Sequence, residues 1–141
     1  MNQVCVDAGL VIKLLTPEED SSLAEVLFSQ WRDDGTSMIA PAFAPAEVDS
    51  VLRKKVLRGY ISQKVADEAF RLACQLPIAI DNDTNYRKRA WEIATRFQLP
   101  TVYDAIYLAL AEANRCEFWT ADQTLYDKVK GELTFVKFLK S

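Results

Sequence analysis

Apolar positions in this chain follow two rhythms. Short runs at 3–6 (Gln-Val-Cys-Val), 37–40 (Ser-Met-Ile-Ala), 77–80 (Pro-Ile-Ala-Ile) and 117–120 (Glu-Phe-Trp-Thr) read as strands, and the segments between them carry apolar residues at helical spacing. The first strand runs straight into Asp7, which sits where Ala8–Leu15 would need its cap, and Thr16-Pro17 ends that helix. Ser21 and Ser22 open a second helix to about Asp34, with Leu23, Val26, Leu27 and Trp31 on its apolar stripe and Gly35 as its stop. Pro45 fits the first turn of a third helix that carries Glu47, Val48, Val51, Leu52, Val56 and Leu57 and ends at Gly59. Ser62–Leu76 is a fourth, patterned by Val65, Ala69, Phe70 and Leu72. Asp83 or Thr84 caps a fifth helix to about Phe97, Asp122 caps a short helix through Val129, and Leu133–Val136 offers a last strand. Strands alternating with helices predict an α/β fold, a mainly parallel, short-stranded sheet between helical layers, in one domain over 1–141.

One segment departs from both rhythms. Val102–Ala111 is apolar on every side except for Asp104. A helix hydrophobic all round is a buried helix, and a buried carboxylate is costly unless something compensates. Two readings stand. Thr101 and Asp104 have the spacing of a helix start, close to a capping box; alternatively, Asp104 faces a metal ion together with other acids.

Composition narrows the chemistry. The chain has 141 residues, half of them hydrophobic, and no run long and apolar enough to span a membrane. Met1–Asp7 lacks a basic region ahead of an apolar core, so no signal peptide is expected. Cys5, Cys74 and Cys116 are odd in number and widely spaced, which suits reduced thiols in a cytoplasmic protein. Histidine is absent, which removes His triads, His zinc sites and His general bases. Carboxylates are left, and they prefer hard cations such as Mg²⁺ or Mn²⁺. The net charge of −3 argues against a nucleic-acid partner unless bound cations neutralise the acids.

Four acids occupy equivalent local positions. Asp7 and Asp122 follow strands and open helices, while Glu47 and Asp104 lie in first helical turns. In open parallel α/β folds the carboxyl ends of the strands share one edge, where ligand sites form. Carboxylates converging there repel one another, and divalent cations relieve this while holding a phosphate and activating water. That is the chemistry of a metal-dependent phosphodiesterase. Acids are favoured at helix N-termini in all proteins, so capping stands beside it for each residue taken singly. An aspartyl-phosphate phosphatase fits less well, since Asp7-Ala8-Gly9 lacks the second Asp of an Asp-x-Asp motif.

Four motifs in order resemble the PIN-domain ribonucleases, and among them the VapC-type toxins of toxin–antitoxin pairs. They are Val-Cys-Val-Asp-Ala-Gly-Leu-Val at 4–11, Pro-Ala-Glu-Val at 45–48, Tyr-Asp-Ala-Ile-Tyr-Leu-Ala-Leu-Ala at 103–111 and Trp-Thr-Ala-Asp-Gln-Thr-Leu at 119–125. The resemblance implies a three-layer α/β/α fold with about five strands. It implies Asp7, Glu47, Asp104 and Asp122 as catalytic, metal-binding acids, with Thr120 beside them. It implies a Mg²⁺- or Mn²⁺-dependent endoribonuclease leaving 5′-phosphate and 3′-hydroxyl ends, a homodimer, and a small antitoxin whose tail crosses helices two to four, with Leu23, Leu27, Val51 and Leu52 as candidates for its groove. One departure is visible: the family often has a hydroxyl residue in Asp-x-Ser, where this chain has Gly9. A PIN nuclease acting in RNA processing outside a toxin pair, and a catalytically silent RNA- or protein-binding module, are the alternatives.

The basic clusters 53–55 and 87–89 read as solvated helix faces or as phosphate contacts, with Arg53, Lys54 and Arg87 the candidates for an RNA backbone. Asp49 lies about 200° round the helix from Glu47 and is left out. Asp127 reads as a surface acid. Trp31, Trp91 and Trp119 read as core or interface, and the tail 135–139 as an edge strand or part of a dimer contact.

Overall fold

Strand β1 (Gln3–Val6) is the middle of the molecule, and its side chains show why. Val4 and Val6 join one apolar cluster and Cys5 the other, so both faces of the strand are covered. The computed structural model describes residues 2–83 and 85–140. Around β1 the chain adds α1 (Ala8–Leu15), α2 (Ser21–Asp34), β2 (Ser37–Pro41), α3 (Ala44–Leu57), α4 (Gln63–Gln75), β3 (Ile78–Asp81), α5 (Arg87–Arg96), α6 (Tyr103–Ala113), β4 (Glu117–Thr120), α7 (Gln123–Val129) and β5 (Val136–Phe138). The sheet order is β3-β2-β1-β4-β5, and every pairing is parallel. Helices α1–α4 supply the cluster on one face; α5, α6 and α7 supply the other. This is the three-layer α/β/α architecture with five short parallel strands that was expected.

Helix α6 is the buried helix its sequence predicts: Ala105, Tyr107, Leu108, Ala109, Leu110 and Ala111 are all enclosed. Its start differs from the capping-box reading. The cap position is Val102, in a helical conformation and without a side-chain hydrogen bond, so Thr101 caps nothing. The N-terminus of α5 also differs. It begins at Arg87 after Tyr86, and the Asp83 carboxylate instead accepts from the Asn85 N–H in a local turn. Thr84, the other proposed cap, lies outside the described residues. The last strand begins at Val136 rather than Leu133. The chain is still turning there: the Leu133 N–H donates to the Val129 carbonyl and the Val136 N–H to the Leu133 carbonyl. Leu133 and Val136 are buried all the same, so the apolar spacing marked a turn that faces the core.

Two further expectations change. Leu27 and Leu52 belong to the core at 9% and 3% exposure, and so offer nothing to a partner's groove; Leu23 and Val51 are partly buried against the same cluster. Trp91 stands 69% exposed on α5, so of its two readings, core and interface, the core one fails. Trp31 and Trp119 pack edge to face, as expected of core aromatics.

Candidate metal centre

The carboxyl ends of β1 and β4 meet at Asp7 and Thr120. Asp7 follows β1 directly, and its backbone N–H donates to the Trp119 carbonyl, 3.3 Å away. Its side chain caps α1 by accepting from the Leu10 N–H at 2.7 Å. Its other oxygen accepts from the Thr120 hydroxyl at 2.5 Å. Thr120, fully buried, in turn accepts from the Asp122 N–H at 3.0 Å. Asp122 caps α7 by accepting from the Leu125 N–H at 3.1 Å. Glu47, in the first turn of α3, accepts from the Tyr107 hydroxyl at 2.8 Å. Asp104, in the first turn of α6, stands apart: it is half-buried, and its surroundings act on it through burial and charge rather than through a hydrogen bond.

All four acids line one cavity of about 400 Å³ at this edge, together with Gly9, Lys13, Glu18, Lys55 and Tyr107. Capping and convergence are therefore not alternatives here. Asp7 and Asp122 cap their helices with one oxygen each and still face the shared space.

The electrostatics register the crowding. The Asp7 carboxyl is pushed up to about 7, above all by burial, with Asp104 and Glu47 adding to the rise and the Thr120 and Leu10 hydrogen bonds opposing it. Burial, then the charges of Asp122 and Glu47, raise Asp104, while Lys128 pulls it down. Burial and the neighbouring Glu47 likewise push the Tyr107 phenol well above its usual range, so it remains a hydrogen-bond donor. Among the described residues no three of these acids already form a closed ligand group. The donor set, oxygens only and mutually repelling, fits a hard divalent cation.

Sequence reasoning placed Lys55 in a basic cluster without singling it out, and did not name Lys13 or Tyr107 as site residues. Lys55 reaches the cavity and pairs with Glu18 at 2.6 Å, and Lys13 lines it while donating to the Glu19 carbonyl at 3.1 Å. Arg53, Lys54 and Arg87 do not line it. Arg53 instead lies along the groove between α3 and α4, beside Gln63. Tyr107 was legible in principle, for it sits one helical turn after Asp104 and shares its face. Asp49 lines a neighbouring apolar cavity beside α4, and Asp127 pairs with Lys130 at 3.2 Å on the surface. At Gly9 an added Cβ would meet only ordinary contacts, the nearest being Asp7 Oδ1 at 3.6 Å, so the missing hydroxyl is not forced by lack of space.

A family model, that of the PIN domain, matches residues 4–131. The chain is 31% identical over 137 residues to Ribonuclease VapC3 of Pyrobaculum aerophilum, an alignment covering 94% of this chain and 98% of that protein. It is 32% identical over 126 residues to Ribonuclease VapC1 of Mycobacterium tuberculosis, covering 89% and 90% respectively. In fold it is similar to a toxin–antitoxin complex from Klebsiella pneumoniae, with a TM-score of 0.67 at 17% identity, covering 98% of each chain.

Proposed function

This chain belongs to the PIN domain family, and from that premise we propose that it is a divalent-cation-dependent endoribonuclease, the toxin of a VapBC-type pair. The observation that carries the reading is the lining of one cavity by Asp7, Glu47, Asp104 and Asp122 at the carboxyl edge of the sheet. The ribonuclease names of the two aligned relatives support the substrate class.

These four acids would hold Mg²⁺ or Mn²⁺. When bound, such a cation acidifies water and offsets the negative charge that develops on the phosphoryl oxygens. The chain's own residues set the geometry beforehand. Thr120 and the Leu10 N–H hold Asp7, Tyr107 holds Glu47 and the Leu125 N–H holds Asp122, and Asp104 would join them from the first turn of α6. Lys13 and Lys55, the cations on the cavity wall, would meet phosphates next to the scissile one, with Arg53, Lys54 and Arg87 left for the backbone farther out. Water adds to phosphorus in line with the bond to the 3′ oxygen. That bond breaks and the 3′ oxygen takes a proton, leaving 5′-phosphate and 3′-hydroxyl ends.

The proposed partner is an antitoxin, in keeping with the complex that the fold resembles. With Leu27 and Leu52 in the core, the apolar residues open to it on α2, α3 and α4 are Val26, Leu57, Val65 and Phe70. A homodimer acting in the cytoplasm completes the proposal.

The test is incubation of the protein with structured RNAs in Mn²⁺, Mg²⁺ or EDTA. Cleavage that needs a cation and leaves 5′-phosphate ends is the expected result. Undiminished cleavage in EDTA contradicts the metal, and RNA binding without cleavage makes this a binding module. Growth arrest on expression, relieved by the adjacent gene's product, separates a toxin from an RNA-processing nuclease.

A further inference from the structure

Glu47 differs from the other tethered acids in how it is held. Asp7 and Asp122 are pinned by backbone N–H groups of the helices they cap. Glu47 has a longer, more flexible side chain, and its hydrogen bond comes from a different helix, sixty residues away in sequence. The donor is rigid. Tyr107 is 1% exposed, and its ring lies between Phe43, edge-on at 5.4 Å, and Phe118, tilted at 5.5 Å. With the ring fixed, the phenol oxygen has one place to be, and it lies 2.8 Å from Glu47 Oε1.

A buried tyrosine hydroxyl needs a partner, and Glu47 satisfies it. That alone makes the contact structural. The surroundings of Glu47 say more. It faces Asp7 and Asp104, whose charges repel it, and Lys55 on its own helix borders the same cavity. Without a tether the carboxylate lowers its energy by swinging away from the other acids. We infer that Tyr107 is a positioning residue for Glu47, its hydroxyl engaging one carboxylate oxygen and leaving the other for the cation. This inference rests on reading the cavity as a divalent-cation site.

Calorimetric titration of Mn²⁺ into the wild type, Tyr107→Phe, Glu47→Ala and the double variant tests it, with thermal melts of each in EDTA. Tyr107→Phe keeps the ring and its packing. It is expected to bind Mn²⁺ about tenfold more weakly than the wild type, in line with other residues that orient metal ligands. In the Glu47→Ala background the same change is expected to have no further effect. Wild-type affinity in Tyr107→Phe overturns the inference, and so does an equal loss in both backgrounds, which marks a packing effect. A wild type that binds no Mn²⁺ overturns the cation site itself, and the inference with it.

Discussion

The Thr120 hydroxyl donates to Asp7 across 113 residues of sequence and accepts from the Asp122 N–H, so one buried oxygen joins the ends of β1 and β4 to the start of α7. Two of the four acids therefore share a support. Thr120→Val keeps the shape and removes both hydrogen bonds. The expected loss is about 1–3 kcal/mol of stability and roughly tenfold in Mn²⁺ affinity. Urea unfolding and calorimetry measure the two. An unchanged affinity would mean that Asp7 needs no such support.

The acid at the end of β1 also makes stability depend on pH. The Asp7 carboxyl moves from 3.8 to about 7 on folding, chiefly through burial. Without a cation, folding thus favours its protonated form. Between about pH 4 and 7 the folded state binds more protons than the unfolded one, and Asp7's contribution to stability falls as pH rises through that window. Asp7→Asn, which can still cap α1, lacks this slope. In EDTA, urea midpoints of the wild type are expected to drop relative to Asp7→Asn between pH 5 and pH 8, and Mn²⁺ at the higher pH should reverse the order. Parallel profiles would contradict the buried carboxylate.

Leu52 and Leu57 lie on one helix with opposite fates, 3% and 75% exposed. Leu52→Ala opens a cavity and is expected to cost about 2–5 kcal/mol. Leu57→Ala should stay within about 0.5 kcal/mol while weakening binding of the proposed antitoxin. Melts and a pull-down with the antitoxin distinguish them. Full antitoxin affinity in Leu57→Ala would move the docking face off this part of α3.

These residues also show what the sequence could and could not reveal. The strand–acid–helix junctions at Asp7 and Asp122 were legible because the cap, the strand before it and the apolar stripe after it are all local. The buried nature of α6 was legible because its residues 105–111 are apolar throughout. Leu52 against Leu57 was legible from helix geometry, since Leu57 lies about 140° round the helix from Leu52 and opposite the buried Val48. Lys55 was not legible as a cavity residue, because its role depends on which neighbouring element faces it, whereas Tyr107 follows Asp104 by one helical turn and its place near the acid could have been read. The capping-box reading of Thr101 failed because α6 is held by the core around it and starts at Tyr103 without a side-chain cap.

Asp104 is where capping and metal binding give different answers, since it caps nothing. The most direct test is Mn²⁺ titration of the wild type and Asp104→Asn by calorimetry, with RNA cleavage measured on the same samples. The account predicts that the wild type binds Mn²⁺ and cuts RNA and that the variant loses both while remaining folded. A variant that binds Mn²⁺ and cuts RNA as the wild type does would contradict the four-carboxylate site.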